Sequence, residues 1–257
     1  MTELLIVHDG GDPSAQLLAA AGRRLGWTVD DADLRVDRFE LTVGASGSVV
    51  RLRGLEVQPR LVLNRSSVTG LGLAGPAALR RQRGAAWRER HAAAREEQAL
   101  LLAVLDGFER AGAEVVNAAT AADLALMPNA VTERLHRRGV RVVRRDTEHL
   151  EVLVAAGRGV AYRSLDATER IATQRHLDLA TVVAEAAGCS VTAVRFVDEG
   201  EASAVSGWDH RPDLLAWPDP DHCALGLLLQ LGGVDRPALV VPAPTFFVDE
   251  LGRPTTD

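Results

Sequence analysis

Hydrophobic positions recur along this chain with two distinct periods. Leu4-Leu5-Ile6-Val7 is an unbroken apolar run, the pattern of a strand buried on both faces of a parallel sheet. His8-Asp9-Gly10-Gly11-Asp12-Pro13 breaks it, and Ser14 to Leu25 then carries Leu17, Leu18, Ala21 and Leu25 at helical spacing up to a stop at Gly26. Thr28 to Leu34 predicts a second strand, so the chain opens β-α-β, the start of an α/β layer. Glu40 to Val43 and Ser48 to Leu52, joined through two glycines, predict a hairpin, and Leu61-Val62-Leu63 another buried strand. A long Ala- and Arg-rich helix is expected from Pro76 to Ala111, bent near Gly84. Its Arg80 to Arg95 stretch reads as a solvated face, and Leu100, Leu101, Val104, Leu105 and Phe108 fall at core spacing.

Glu114-Val115-Val116-Asn117 predicts a strand, Thr120 the cap of a helix with Asp123 in its first turn, and Val131 to Arg138 a helix stopped by Gly139 before a strand at Val140 to Val143. Leu150 to Val154 and Gly159 to Leu165 form a second hairpin. Ala167 to Ala187 is an amphipathic helix with Ile171, Leu179, Val182, Val183 and Ala186 inward, ended by Gly188. Two strands at Val191 to Val197 and Ala202 to Val205 precede a closing helix, Asp221 to Leu231, for which Asp221 is the expected cap. The fold class is α/β, in two layers. A mostly parallel sheet with helices occupies residues 1–143, an antiparallel α+β half residues 146–235, and a Pro-rich tail 236–257.

Composition narrows the partners. The chain is 47% apolar and 25% charged, ample for a soluble core, and its net charge of −6 offers no general attraction to a phosphate backbone or an anionic membrane surface. The expectation is no nucleic acid, no membrane, and a cytoplasmic location, with self-association open. Two cysteines, Cys189 and Cys223, cannot build a disulfide framework. All 29 basic residues are Arg. Schiff-base lysine chemistry and a lysine clamp on phosphates are therefore excluded, unless Arg substitutes as the phosphate-binding cation.

Asp209, His210, Arg211 and Asp213 form the densest chemical cluster. His210 beside Asp209 is a candidate catalytic general base of raised pKa, and Arg211 a fork for a substrate carboxylate; the competing reading is a surface loop with local ion pairs. Asn64 and Arg65 leave the carboxyl end of a buried strand, where open α/β sheets place ligands, so both are candidate substrate-binding residues. A salt bridge from Arg65 to Glu96-Glu97 is the alternative. His8-Asp9-Gly10-Gly11 leaves the first strand in the same way, toward the same crevice. Gly70-x-Gly72-x-x-Gly75 satisfies a dinucleotide fingerprint formally, but it lies several residues past its strand and reads as a loop. Asp219, Asp221, His222 and Cys223 lack a second paired ligand set, and no metal site is expected. Tyr162 reads as packing, and Cys189 shows no adjacent base.

The stretch Val191 to Leu214 resembles the last strand pair of the ATP-grasp superfamily. There an Asp on the first strand and a Glu-x-Asn on the second hold magnesium, followed by a Pro; the matching places here hold Arg195, Ser206 and Trp208. The segment from Arg60 to Val143, with its strand ending in Asn117 and its helix ending in Gly139, resembles the bridge of RimK-like and peptide-ligase proteins into their nucleotide lid. In that family a Lys opens the second bridge helix, where this chain has Asn129 or Ala130. The lid subdomain, with its glycine-rich phosphate loop, has no counterpart between Val143 and Leu150.

The resemblance thus implies a truncated, degenerate ATP-grasp protein without cofactor. It would act as a pseudoenzyme binding a small acid, a peptide or a partner ligase, with Arg195, Trp208 and Ser206 in a remade substrate site. Glu199, Glu201 and Asp209 stand close enough in sequence to restore metal ligands by a register shift. The alternative is an active ATP- and Mg2+-dependent carboxylate–amine ligase, or repurposed chemistry at Asp209-His210-Arg211.

Overall fold

The computed structural model describes residues 2–44, 47–66, 85–118, 128–143, 148–166, 170–199, 202–233, 247–248 and 254–255. The Gly70 to Gly75 motif, Thr120, Asp123 and Glu201 lie outside them, as do the side chains of Arg80 to Arg95 and Glu199.

Strand β1 (Leu4–His8) pairs in parallel with β2 (Val29–Asp33) and with β6 (Leu61–Arg65), and β6 with β7 (Glu114–Val116), giving the order β2–β1–β6–β7. Every residue of β1 is buried. Its side chains alternate between two cores. Leu4 and Ile6 pack under helix α1 (Pro13–Arg24), while Leu5 and Val7 pack under α2 (Ala85–Arg110) with Leu101, Val104, Leu105 and Phe108. Asp12 caps α1, its carboxylate accepting the backbone N–H of Ser14 and of Ala15, with Pro13 at the first helical position. An antiparallel insert of β3 (Phe39–Gly44), β4 (Gly47–Leu52) and the short β5 (Leu55–Glu56) packs into the same cluster as α2 through Phe39, Val50 and Leu52. Phe39 meets Phe108 edge to face, with ring centroids 6.3 Å apart.

The second half is an antiparallel sheet of β8 (Leu150–Ala155), β9 (Arg158–Ser164), β10 (Val191–Glu199) and β11 (Ala202–Asp209), in the order β11–β10–β8–β9. Helices α3 (Pro128–Arg137) and α4 (Gln174–Ala187) cover one face through Leu150, Val152, Val154, Val194 and Phe196. Helix α5 (Pro220–Leu231) covers the other, and α5 and α1 share one apolar cluster with both sheets. The two helices thus form a common layer between a parallel and an antiparallel sheet. β12 (Phe247–Val248) and β13 (Pro254–Thr255) pair with each other.

Three local expectations are corrected. Helix α4 begins at Gln174 rather than Ala167, because His176 Nδ1 accepts the backbone N–H of Thr173 (3.1 Å) and fixes the start there; Ile171, expected inward, is 74% exposed. Asp219, not Asp221, caps α5 through the N–H of His222, and Asp221 pairs with Arg24 on the surface. Val140 to Val143, expected as a strand, makes only an isolated bridge of Val142 to Val205 at the edge of β11, Val143 N–H donating to the Val205 carbonyl (2.9 Å), and six residues, 144–149, separate it from β8. Among the described residues no helix is long and apolar enough to cross a membrane.

Candidate functional site

A cleft of about 380 Å³ opens beyond the carboxyl ends of β1 and β6, where the turn before α1 faces the loop after β11. Asp9, Asp12, Arg35, Arg65, Arg211 and Asp213 supply its charges, and Gly10 and Gly11 part of its wall. Arg65, 7% exposed, donates from Nε to Asp12 Oδ2 (2.8 Å) and from Nη2 to Asp12 Oδ1 (3.3 Å) and the Pro212 carbonyl (3.2 Å). Among the described residues its acidic partner is Asp12, and Glu96 makes no bond to it; the side chain of Glu97 lies outside them. Burial pushes the Asp12 carboxyl up. The hydrogen bonds and charge of Arg65, the Ala15 N–H and Arg211 outweigh it and hold the group below its ordinary 3.8. Asn64 is buried beside it, donating to the Asn117 carbonyl (3.1 Å) and accepting from the Ser66 N–H and hydroxyl. His8 turns away from the cleft, with Nε2 3.6 Å from Asp31.

The loop after β11 divides its dense cluster between two cavities. Arg211 Nη1 reaches Asp9 Oδ2 (3.3 Å) and the Arg65 carbonyl (3.2 Å), and Asp209 accepts the Arg211 N–H (2.8 Å). Asp213 accepts from the Ser14 hydroxyl (3.2 Å) and the Leu215 N–H (3.1 Å). His210 instead lines a cavity of about 10 Å³, the size of one water, with Leu18, Leu63, Asn117 and Val191. Burial lowers the His210 pKa below 6.5, Arg211 and Arg65 lower it further, and Asp209 offsets only part. The expected raised pKa is thus reversed, because two guanidiniums and desolvation act against one carboxylate.

Asn117, at φ +53°, fixes this loop. Its side-chain amide donates to the carbonyls of Val191 (3.0 Å) and His210 (2.6 Å), and its Oδ1 accepts the Val191 N–H (3.1 Å).

Arg195 sits on β10 opposite Gly207, beside a bulge that re-aims it. A Cβ on Gly207 would lie 3.2 Å from Arg195 Nη2, so the glycine leaves room for the guanidinium. Arg195 Nη1 donates to Glu148 Oε2 (3.1 Å), and the Ser206 hydroxyl donates to Glu148 Oε1 (3.3 Å). Arg195 Nε is buried without a hydrogen-bond partner among the described residues and lies 4.0 Å from Glu151 Oε1. Glu151, 5% exposed, is held by Arg163 from Nε (2.7 Å) and Nη2 (2.6 Å); Arg163 also donates to the Ala216 carbonyl and lies 5.0 Å over the Trp217 ring. Trp208 pairs with Val194 and packs into the cluster beneath α4, apart from Arg195 and Ser206.

Magnesium takes oxygen ligands. The three matching places offer one hydroxyl, and Glu148 and Glu151, the carboxylates beside them among the described residues, are each occupied by an arginine. Among the described residues no group of three or more His, Cys, Asp or Glu is arranged to hold a metal ion. Burial pushes both cysteine thiols up to about 12, which leaves them unreactive.

No family model matches the chain, and no curated protein matches it by sequence. Solved structures do match. The ATP-grasp ligase PsnB, in complex with a phosphomimetic variant of its minimal precursor, Mg and ADP, superposes at TM-score 0.70 over 90% of this chain and 99% of its own, at 16% identity. The chain has the ATP-grasp fold. The macrocyclase MdnC of Microcystis aeruginosa, bound with precursor peptide MdnA, matches at TM-score 0.65 and 11% identity over 89% of this chain and 99% of its own. A RimK-domain ATP-grasp protein of Sphaerobacter thermophilus matches at 0.53 and 12%, over 89% and 100%. These matches run nearly end to end, so they add nothing to the expectation of a missing lid.

Within this ATP-grasp fold the sequence pointed to Arg65, Asn64, Arg195, Ser206 and Arg211, and missed Asp12, Glu148, Glu151 and Arg163. Asp12 was legible only as part of a turn. Glu151 and Arg163 carry ordinary strand signals and Glu148 lies in the connection before β8, and nothing in a single sequence says that their charges converge.

Proposed function

We propose that this ATP-grasp-fold protein is a binding protein that no longer turns over ATP and takes a peptide or small acid in the cleft between its halves. The observation that carries the reading is Arg195. At the place the family gives to a metal-ligating carboxylate stands a fixed cation, and Glu148 and Ser206 are arranged around it as they would be around an ion. The site's negative charge is therefore spent on the protein's own guanidiniums. The absence of lysine and the short connection of residues 144–149 support the same reading. Peptide as the ligand is supported by the neighbours, since PsnB and MdnC are both seen with precursor peptides.

Calorimetry with Mg-ATP tests it. No saturable heat is expected. Micromolar binding abolished by Arg195→Ala would instead establish an active ligase that grips ATP through arginine. Repurposed chemistry at His210 is less favoured, because its ring faces the one-water cavity and not the cleft.

A further inference from the structure

Arg65 and Arg211 line the cleft, but their charges are already answered, the first by Asp12 and the second by Asp9. The third guanidinium of the cleft, that of Arg35, makes no hydrogen bond or ion pair among the described residues; only its backbone N–H is engaged, by Asp33 Oδ1 at 2.9 Å. The residue is exposed, but its stem lies against the cleft wall. A Cβ built on Gly10 would lie 2.7 Å from Arg35 Cδ and 2.6 Å from Asp33 Oδ2, so the stem of Arg35 crosses the glycine at a distance that any larger residue would force it to give up. Gly10 thereby holds an unpaired planar fork over the mouth of the cleft. Charge also sets the kind of anion. Asp9, Asp12 and Asp213 stand against Arg35, Arg65 and Arg211, a formal sum of zero, so the lining has no surplus of positive charge to balance a polyphosphate and leaves one unpaired fork, the match of a single carboxylate.

We infer that Arg35, positioned across Gly10, is the residue that anchors the ligand of this cleft, by a bidentate bond to a single carboxylate. The inference rests on the reading of the chain as a binding protein and gives that ligand its chemistry. A free acid and a glutamyl or aspartyl side chain of a peptide share the group.

The full chain, without nucleotide or magnesium, is titrated with glutarate, with N-acetylglutamyl amide and with inorganic phosphate, reading the backbone amide resonances of Gly10 and Gly11. Saturable shifts with the carboxylates are expected, weakened about tenfold or more in Arg35→Gln, the loss of a charged hydrogen-bond partner. Gly10→Ala should weaken them too, and Arg158→Gln, an exposed arginine outside the cleft, should not. The tighter of the two carboxylates identifies the source. Unchanged affinity in Arg35→Gln, or phosphate binding as tightly as carboxylate, would overturn the inference. Nucleotide binding in the separate calorimetry would end the pseudoenzyme reading and leave this result standing.

Discussion

Asp12 and Arg65 meet at 2.8 Å with side chains only 13% and 8% exposed, so each is the other's substitute for water. Asp12→Asn leaves a buried guanidinium unanswered and should cost about 3 kcal/mol in urea unfolding. The pH dependence follows from two opposite kinds of group. Asp12 has a depressed folded pKa, so its contribution is present above 3.8 and lost as pH falls through the lower folded value. His210 is a base whose folded pKa is depressed, so the unfolded chain binds the extra proton, and stability already declines as pH falls below 6.5. Unfolding free energy followed against pH should show both steps. His210→Gln should remove the upper one and Asp12→Asn the lower; an unchanged upper step in His210→Gln would show that another group titrates there.

Helices α1 and α5, at the scale of elements, share one layer between the two sheets, and small residues set its thickness. Gly22 of α1 has Val29 Cγ2 2.8 Å from where a Cβ would stand, and Gly226 of α5 has Val160 Cγ1 at the same distance. Glycine-to-alanine inside a helix ordinarily gains about 1 kcal/mol. Gly22→Ala should instead lose about 1–3 kcal/mol by thermal melting, because overpacking outweighs propensity. This is the level at which the sequence was most legible. Leu4 to Val7 and Leu150 to Val154 announce strands buried on both faces, and Gly139 and Gly188 mark helix ends at positive φ. Ile171 misled because hydrophobic period alone cannot say where a cap begins. The site was less legible, since Arg65 was singled out but its partner lies 53 positions away, and Arg35 gave no signal until Gly10 was seen beneath it.

Across the whole molecule, Asn117 joins the two halves, binding Val191 and His210 while Asn64 binds it. Asn117→Ala removes three side-chain hydrogen bonds, two of them buried, and places alanine in the left-handed region; it should cost about 2–4 kcal/mol by denaturation and free the loop carrying Arg211. On the proposed reading the ATP-grasp fold is a frame whose ion site is filled from within by Arg195. Electron paramagnetic resonance of Mn2+ tests that most directly: ATP alone already lowers the free-ion signal, so protein is added to a fixed Mn2+–ATP mixture, and a further fall reports metal held by the protein. The account predicts a signal unchanged by added protein up to millimolar concentration. A signal quenched at micromolar concentration, and restored by Glu148→Gln, would show that Glu148 grips a metal and not Arg195, and would contradict it.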